Sequence, residues 1–412
     1  MNYVDTLQYL KDNDLTMSRY EREEWDRFVK KTKLKIEVPF IHITGSNGKG
    51  SSANYLFEVY KAAGYKVALF SKPYLKKPNE MIRIDGKDIS DDEFARIFSQ
   101  RENDYRKFGL SSFEIETAMA FDYFNEQKPD LALIECGMGG ETDSTNLPDA
   151  KPVLSIITTV SLEHTAFLGR TTSEIARNKA AIIKNNCPVL VGPMDEDLIT
   201  VIREIAERRD SEFFQVDAYH NSHYEAPYLY FDYRPYQKLQ LLTPALYQLK
   251  NASVVVEATK VLNEKFPVTE EAVRKGLLSS PLPCRFERHR NIFIDGAHNP
   301  QAINELVESL IPLSGDKPIH VVFASFRDKN IAVELPRIGR DAAEIVLTTF
   351  DSKRARDESD YFLYAEDYSY NPDYRLAISD FLIKYPDDII LITGSLAFAN
   401  LAREYVIETL HL

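Results

Sequence analysis

The chain has 412 residues, 44% hydrophobic and 27% charged, a composition able to bury sizeable cores and a length that speaks for about two or three domains. Its 63 acids against 50 bases leave a formal charge of −13, which argues against a surface built to neutralise nucleic-acid phosphates, so any bound phosphate must be held locally. Cys136, Cys187 and Cys284 lie far apart without CxxC spacing, the start is acidic and amphipathic, and no apolar run approaches a membrane span; a disulfide framework, a zinc site, secretion and membrane insertion are all disfavoured, and a reducing cytoplasmic location is expected.

Near the start, Trp25 and Phe28 stand three apart and mark one helix face. From Val38 onward, β-rich runs alternate with amphipathic helical segments: VPFIHIT (38–44), KVALF (66–70), DLALIEC (130–136), VLSIITTV (153–160) and PVLVG (188–192). This predicts an α/β domain with a mostly parallel sheet. Each run ends in polar or glycine-rich residues, and in open parallel sheets ligands sit at the carboxyl ends of strands. The tyrosine-rich stretch 213–243 reads as two or three short strands at an edge. In SSPLPCRFERHR (279–290), Pro281 and Pro283 interrupt helix and strand alike, as in a linker. The boundary is placed near 285, giving domains 1–284 and 285–412. The runs NIFIDG (291–296), IHVVFAS (319–325), EIVLTTF (344–350) and DIILITG (388–394) predict a second, smaller α/β domain.

The most informative stretch is IHITGSNGKGSS, where a β run stops at Thr44 and a glycine-rich turn, Gly45 to Ser51, precedes an amphipathic helix. Strand, glycine turn and helix form a phosphate cradle: Gly45, Gly48 and Gly50 let N–H groups turn inward, the helix dipole points its positive end at the ligand, and Lys49 adds a full charge. A serine hydroxyl, Ser51 or Ser52, suits Mg²⁺. The spacing differs from GxxxxGK[ST], because Gly50 separates the lysine from the serine. Glu135, at the carboxyl end of DLALIEC, offers an oxygen ligand to the same hard cation. His164 follows the run VLSIITTV, within SLEHT, also at a strand's carboxyl end. Alone, such strand-end residues read as structural more readily than as ligands, and a helical lysine such as Lys179 reads as a solvated one. DGAHNP (295–300) follows NIFI, with Pro300 suited to a first helical turn and Asp295 readable as a helix cap or turn residue.

Taken together, TGSNGKGSS, IECGMGGETDSTN, TTVSLEHTAFLG, IARNKAAIIK, LYQLKNASVVVEA, CRFE, DGAHNP and TGSLAFA resemble, in order, the Mur ligase superfamily, specifically folylpolyglutamate synthase and dihydrofolate synthase. The resemblance implies a Mur-ligase-like P-loop ATPase domain and a C-terminal glutamate-ligase domain. It implies ATP on Asn47, Gly48, Lys49, Gly50, Ser51, Asn251, Arg285 and Asp295, with Asn251 at the adenine, Asp295 at the ribose and Arg285 at the phosphates. Mg²⁺ is implied on Ser51, Glu135 and His164, a CO₂-carbamylated lysine at Lys179, and His298 beside the reacting groups. The activity so implied is ATP-dependent addition of L-glutamate to tetrahydrofolate or its polyglutamates through an acyl phosphate, with dihydropteroate a further acceptor, in a monomer without nucleic-acid partners. Two positions depart from the family pattern: Lys72 replaces a metal-holding serine and Met81 an arginine. Lys72 is expected to substitute its own charge for a metal and Arg83 to take over from the missing arginine, with Pro73 and Arg83 on the substrate side. The altered 70–84 segment keeps open a ligase of the same scaffold for a non-folate acid. A nucleotide-binding protein without ligase activity is a further alternative, against which Glu135, His164 and Lys179 all count.

Overall fold

The computed structural model describes residues 1–14, 22–279 and 282–411; Pro281 of the expected linker lies outside them. Apolar runs bounded by turn residues become strands, the five central ones of which are buried on both faces. The strands are β1 (Phe40–Thr44), β2 (Val67–Phe70), β3 (Ile82–Ile84), β4 (Lys87–Asp88), β5 (Leu131–Glu135), β6 (Leu154–Ile157), β7 (Val189–Val191) and β8 (Phe213–Gln215). These eight make one sheet in the order β4-β3-β2-β5-β1-β6-β7-β8. From β2 to β8 all neighbours are parallel, while β3 and β4 add an antiparallel edge. The central strand β1 lies between β5 and β6, with Ile43 opposite Glu135 and Thr44 opposite Ile157, so three strand ends converge where the glycine loop begins.

Several helices covering this sheet start where side chains satisfy their first N–H groups. Ser111 and Glu114 form a capping box before Ser112–Gln127, and Thr171 and Glu174 form another before Thr172–Ala180. Trp25 and Phe28 are 1% and 0% exposed, and Phe28 meets Tyr105 and Phe108 at ring distances of 5.7 and 6.0 Å. Burying a side chain of that size is worth roughly 1.5–3 kcal/mol, enough to fasten the N-terminal helix Glu23–Thr32 to the sheet's helical cover. Gly276, in helix Glu270–Leu277, lies so close to the backbone of Val59 in helix Lys49–Ala62 that a Cβ would collide with it. The helix that follows the glycine loop is thereby seated backbone to backbone.

The tyrosine-rich stretch forms β9 (His220–Glu225), β10 (Tyr228–Tyr233) and β11 (Tyr236–Leu241), a separate three-stranded sheet in the order β11-β10-β9. The start of the same stretch, β8, takes the edge of the main sheet. Alternation explains the difference: Leu229, Phe231 and Tyr233 are buried while the residues between them are half-buried, the pattern of a sheet with one inner face.

The remaining strands are β12 (Glu287–His289), β13 (Ile292–Ile294), β14 (Ile319–Phe323), β15 (Glu344–Thr348), β16 (Ser369–Asn371) and β17 (Ile389–Thr393). Their order is β12-β13-β17-β14-β15-β16, parallel throughout except for β12. The chain divides into two compact units. One comprises Met1–Ser222, Phe231–Gln240 and Lys250–Ser279; the other comprises His223–Tyr230, Leu241–Leu249 and the described part of 280–412. In the second unit Glu334 is fully buried, and neither carboxylate oxygen makes a hydrogen bond among the described residues. Burial pushes its carboxyl up to about 7, against the pull of Lys329 and Arg356. No described helix is long and apolar enough to cross a membrane.

Candidate active site

The loop after β1 enters its helix sooner than the spacing suggests. The helix begins at Lys49, so Lys49, Gly50 and Ser51 lie in its first turn and not in the glycine turn. Gly48 makes this possible: its φ of 83° is left-handed, a conformation only glycine adopts without strain, and a Cβ there would run into the Asn251 side-chain oxygen. No side chain caps the helix, so backbone N–H groups and the positive dipole end dominate its start, a disposition that favours an anion.

The loop is pinned from the tail of β6. Ser46 donates its N–H to the Thr159 carbonyl and Asn47 donates to Thr159 Oγ1, both at 2.9 Å, while Thr158 Oγ1 donates to the Asn47 carbonyl at 2.6 Å. Ser161 N–H donates to Ser46 Oγ at 2.9 Å. Lys49 Nζ curls back to the carbonyls of Gly45 and Ser46 at 2.7 and 3.3 Å. Of the two serines, Ser52 is fully buried and its hydroxyl makes no hydrogen bond among the described residues, whereas Ser51 keeps 8% exposure.

Opposite Ile43, Glu135 is 4% exposed and accepts a hydrogen bond from the Ser71 hydroxyl. Gly140 N–H, in the following turn, donates to Asn178 Oδ1 at 3.0 Å, which ties that turn to the helix carrying Lys179. Lys179 is completely buried, and its Nζ lies 2.7 Å from Glu163 Oε1, itself 7% exposed. Burial lowers the Lys179 pKa, with Glu163 opposing and Lys49 assisting. Burial pushes Glu163 up, but Lys179, then Lys49 and His164, overcome this and hold its carboxyl well below the usual range. Lys49, Glu163, His164 and Lys179 therefore share one electrostatic neighbourhood. Glu163 is the member that sequence reasoning passed over; its signal was its place beside His164 in SLEHT. His164 has a left-handed φ of 44°, and its carbonyl accepts from Phe167 and Leu168 at 2.8 and 3.0 Å, a conformation uncommon outside glycine and found at functional turns.

A hydroxyl, a carboxylate and an imidazole are the donors expected to hold Mg²⁺. Among the described residues no three His, Cys, Asp or Glu side chains converge to enclose an ion.

In the 70–84 segment, Pro73 is exposed and Met81 is a fully buried core residue. Arg83 pairs with Leu69 across β2 and β3, and its guanidinium stands 5.9 Å from the Phe57 ring centre with Nε making no hydrogen bond among the described residues. Burial lowers its pKa against the pull of Asp88, Glu58, Glu80 and Glu135. Arg83 thus feels the charge of Glu135, the weakest of these four carboxylates upon it.

In the second unit the loop after β13 is organised around Asp295, which is 3% exposed. Its Oδ1 accepts from Ala297 N–H at 2.8 Å, and its Oδ2 accepts from Phe286 N–H and the Tyr247 hydroxyl, both at 2.8 Å. Burial raises its pKa, with Arg285 the strongest opposing charge, so Arg285 and Asp295 are electrostatic neighbours. The cap of the next helix is Asn299, whose Oδ1 accepts from Ala302 N–H at 2.9 Å, and Pro300 occupies the first turn as expected. His298 is half-buried, with Nδ1 2.8 Å from the Gly296 carbonyl.

Two families match the chain: the Mur ligase middle domain over residues 43–237 and the Mur ligase glutamate ligase domain over 284–396. The folylpolyglutamate synthase of Lacticaseibacillus casei is 33% identical over 386 residues, 89% of each chain. The dihydrofolate synthase/folylpolyglutamate synthase of Bacillus subtilis (strain 168) is 32% identical over 398 residues, 89% of this chain and 90% of the relative. Among solved structures, the apo form of the L. casei enzyme gives a TM-score of 0.85 at 28% identity, covering 99% of this chain and 100% of that one. The Mycobacterium tuberculosis folylpolyglutamate synthase complexed with ADP and AMPPCP gives 0.87 at 25% identity, covering 98% of both. With this likeness running from the glycine loop through the turn at Asp295, the chain belongs to the folylpolyglutamate synthase and dihydrofolate synthase family of Mur ligases.

Proposed function

We propose that the protein is an ATP-dependent amide ligase that adds L-glutamate to tetrahydrofolate and its polyglutamates, with dihydropteroate a further acceptor. The observation that carries this reading is the loop after β1: a helix start with no side-chain cap, Gly48 at φ 83° and Lys49 beside it, in a chain alike from end to end to folylpolyglutamate synthases, one of them solved as an AMPPCP–folate complex. A carboxylate is a poor electrophile. Transfer of the γ-phosphoryl group of ATP to a folate carboxylate gives an acyl phosphate and ADP; the amine of L-glutamate then attacks the acyl carbon, the amide forms, and phosphate leaves.

In this scheme Asn47, Gly48, Lys49, Gly50 and Ser51 bind the phosphates, with Lys49 neutralising charge as the phosphoryl group moves, and Asn251 lies at the nucleobase. Ser51, Glu135 and His164 would hold Mg²⁺, which supplies further charge neutralisation when bound. Lys179 is a candidate for carbamylation. That reaction needs the neutral amine, which burial favours and the Glu163 ion pair opposes. In the region assigned to 285–412, the residues proposed for nucleotide and amino-acid contact are Arg285, Asp295 and His298; in 1–284, Pro73 and Arg83 are proposed for the acid. The reaction fits a monomeric cytoplasmic enzyme with small-molecule partners. The test is ADP release and glutamate incorporation from ATP and L-glutamate with tetrahydrofolate, with dihydropteroate or with no acid. Product with either acid and none without it is the expected result; incorporation with neither acid would remove the folate reading.

A further inference from the structure

Adjacent strands β2 and β5 end side by side, Phe70 opposite Ile134, so the segments 71–72 and 135–137 leave the sheet together. Ser71 touches Glu135 through its hydroxyl. The next residue, Lys72, folds its side chain over Phe113, with Nζ 4.6 Å from the ring centre and 4.0 Å from Glu116 Oε2. Phe113 in turn fills the space over Gly137, where a Cβ would meet the ring.

This arrangement is costly unless it serves a purpose. The Glu116 side chain is 5% exposed, and its Oε2 makes no hydrogen bond among the described residues, although a buried carboxylate is normally satisfied by donors. Burial pushes it up to about 7, Lys72 pulls it back and Asp14 opposes. At 4.0 Å the ammonium is attracted to the carboxylate without donating to it. Its position is therefore set by a charge and an aromatic face, while its three N–H donors are not consumed by the described residues. The Lys72 side chain is 27% exposed, so it remains within reach of a ligand on the same strand-end crest as Glu135.

We infer that Lys72 binds the carboxylate of the acid substrate that is to be phosphorylated, and that Glu116 and Phe113 are the positioning residues that hold it there. The inference rests on the ligase reading. The competing role is a structural one, in which Lys72 only neutralises Glu116.

The full-length protein and the variants Lys72→Met, Lys72→Arg and Lys72→Met/Glu116→Leu are compared by steady-state kinetics with tetrahydrofolate, by equilibrium fluorescence titration with the same acid, and by thermal melting. Loss of a charge-assisted contact raises the KM and Kd for the acid by about 10- to 100-fold in Lys72→Met, with the KM for ATP within about twofold. Lys72→Arg recovers most of that loss. The double variant melts at or above the parent, because the buried carboxylate and its counter-charge are removed together, yet keeps the raised KM. A KM and Kd for the acid within about twofold of the parent in Lys72→Met, or recovery in the double variant, overturns the inference. If the parent binds the acid but does not ligate it, and Lys72→Met weakens that binding, the ligase reading fails while the anion contact stands. If the parent neither binds nor ligates, both fall.

Discussion

The chain leaves β1 through Gly45–Gly48 into the helix Lys49–Ala62, and it leaves β13 through Asp295–Asn299 into the helix Pro300–Ser314. The first crossing ends on a left-handed glycine, with no side-chain hydrogen bond capping the helix start. In the second, Asn299 caps the helix, Pro300 contributes no N–H, and both oxygens of Asp295 accept hydrogen bonds, one from Ala297 within the loop and two from Phe286 and Tyr247 outside it. The same order of strand, turn and helix thus leaves a helix start open to an anion in one case and a turn whose polar groups the protein itself satisfies in the other. What separates them is whether a side-chain acceptor or an incoming anion answers the N–H groups of the first turn.

The sharpest way to break this contrast is at the first crossing. Lys49→Ala should lower ATP-dependent turnover by roughly 10³-fold, the scale of a lost charge on a transferring phosphoryl group, with little change in melting temperature; turnover at the parental rate would remove the loop from the chemistry. Next comes the buried pair beside it. Removing one member leaves an uncompensated buried charge, so Lys179→Met should cost about 3–5 kcal/mol in denaturant unfolding, while Lys179→Met/Glu163→Leu should return most of it. A double variant as weak as the single one would mean that the pair is not the source of the loss.

The second unit offers a buried carboxyl with no such partner. Glu334 has its native pKa raised from 4.5 to about 7, so the native state keeps a proton that the unfolded chain has lost. Its stabilising effect is full below about pH 4.5 and is lost as pH rises through about 7, amounting to about 3 kcal/mol. Glu116 acts in the same direction over the same window. Glu334→Met should therefore flatten the fall in stability with pH, and an unchanged slope between pH 5 and 8 would contradict this. The smallest effect belongs to the self-satisfied turn: Asn299→Ala should cost about 1 kcal/mol, read from the same denaturant curves.

Much of the architecture was legible because both parallel sheets are built from uninterrupted apolar runs, such as the one ending at Thr44 and the one ending at Thr393, each closed by glycine or polar residues. The glycine loop was legible for the same local reason. What escaped notice depended on residues distant in sequence. Nothing near Asp295 announces that Tyr247, 48 positions earlier, donates to it; nothing near Lys179 announces Glu163; and nothing near Lys72 announces Glu116. The helix start at Lys49 was read as part of the turn because spacing alone does not reveal that Gly48 is left-handed. The inclusion of 223–230 and 241–249 in the second unit was likewise beyond a reading that seeks contiguous segments.

Thr158 and Thr159 grip the loop at Asn47 through both hydroxyls, so the cradle is moulded before any ligand arrives. A mould already set loses little freedom when filled. Calorimetry on nucleotide should accordingly record a small entropic penalty, and replacing the two threonines by valine should enlarge it, turning a rigid receptor into one that must first be shaped by its guest.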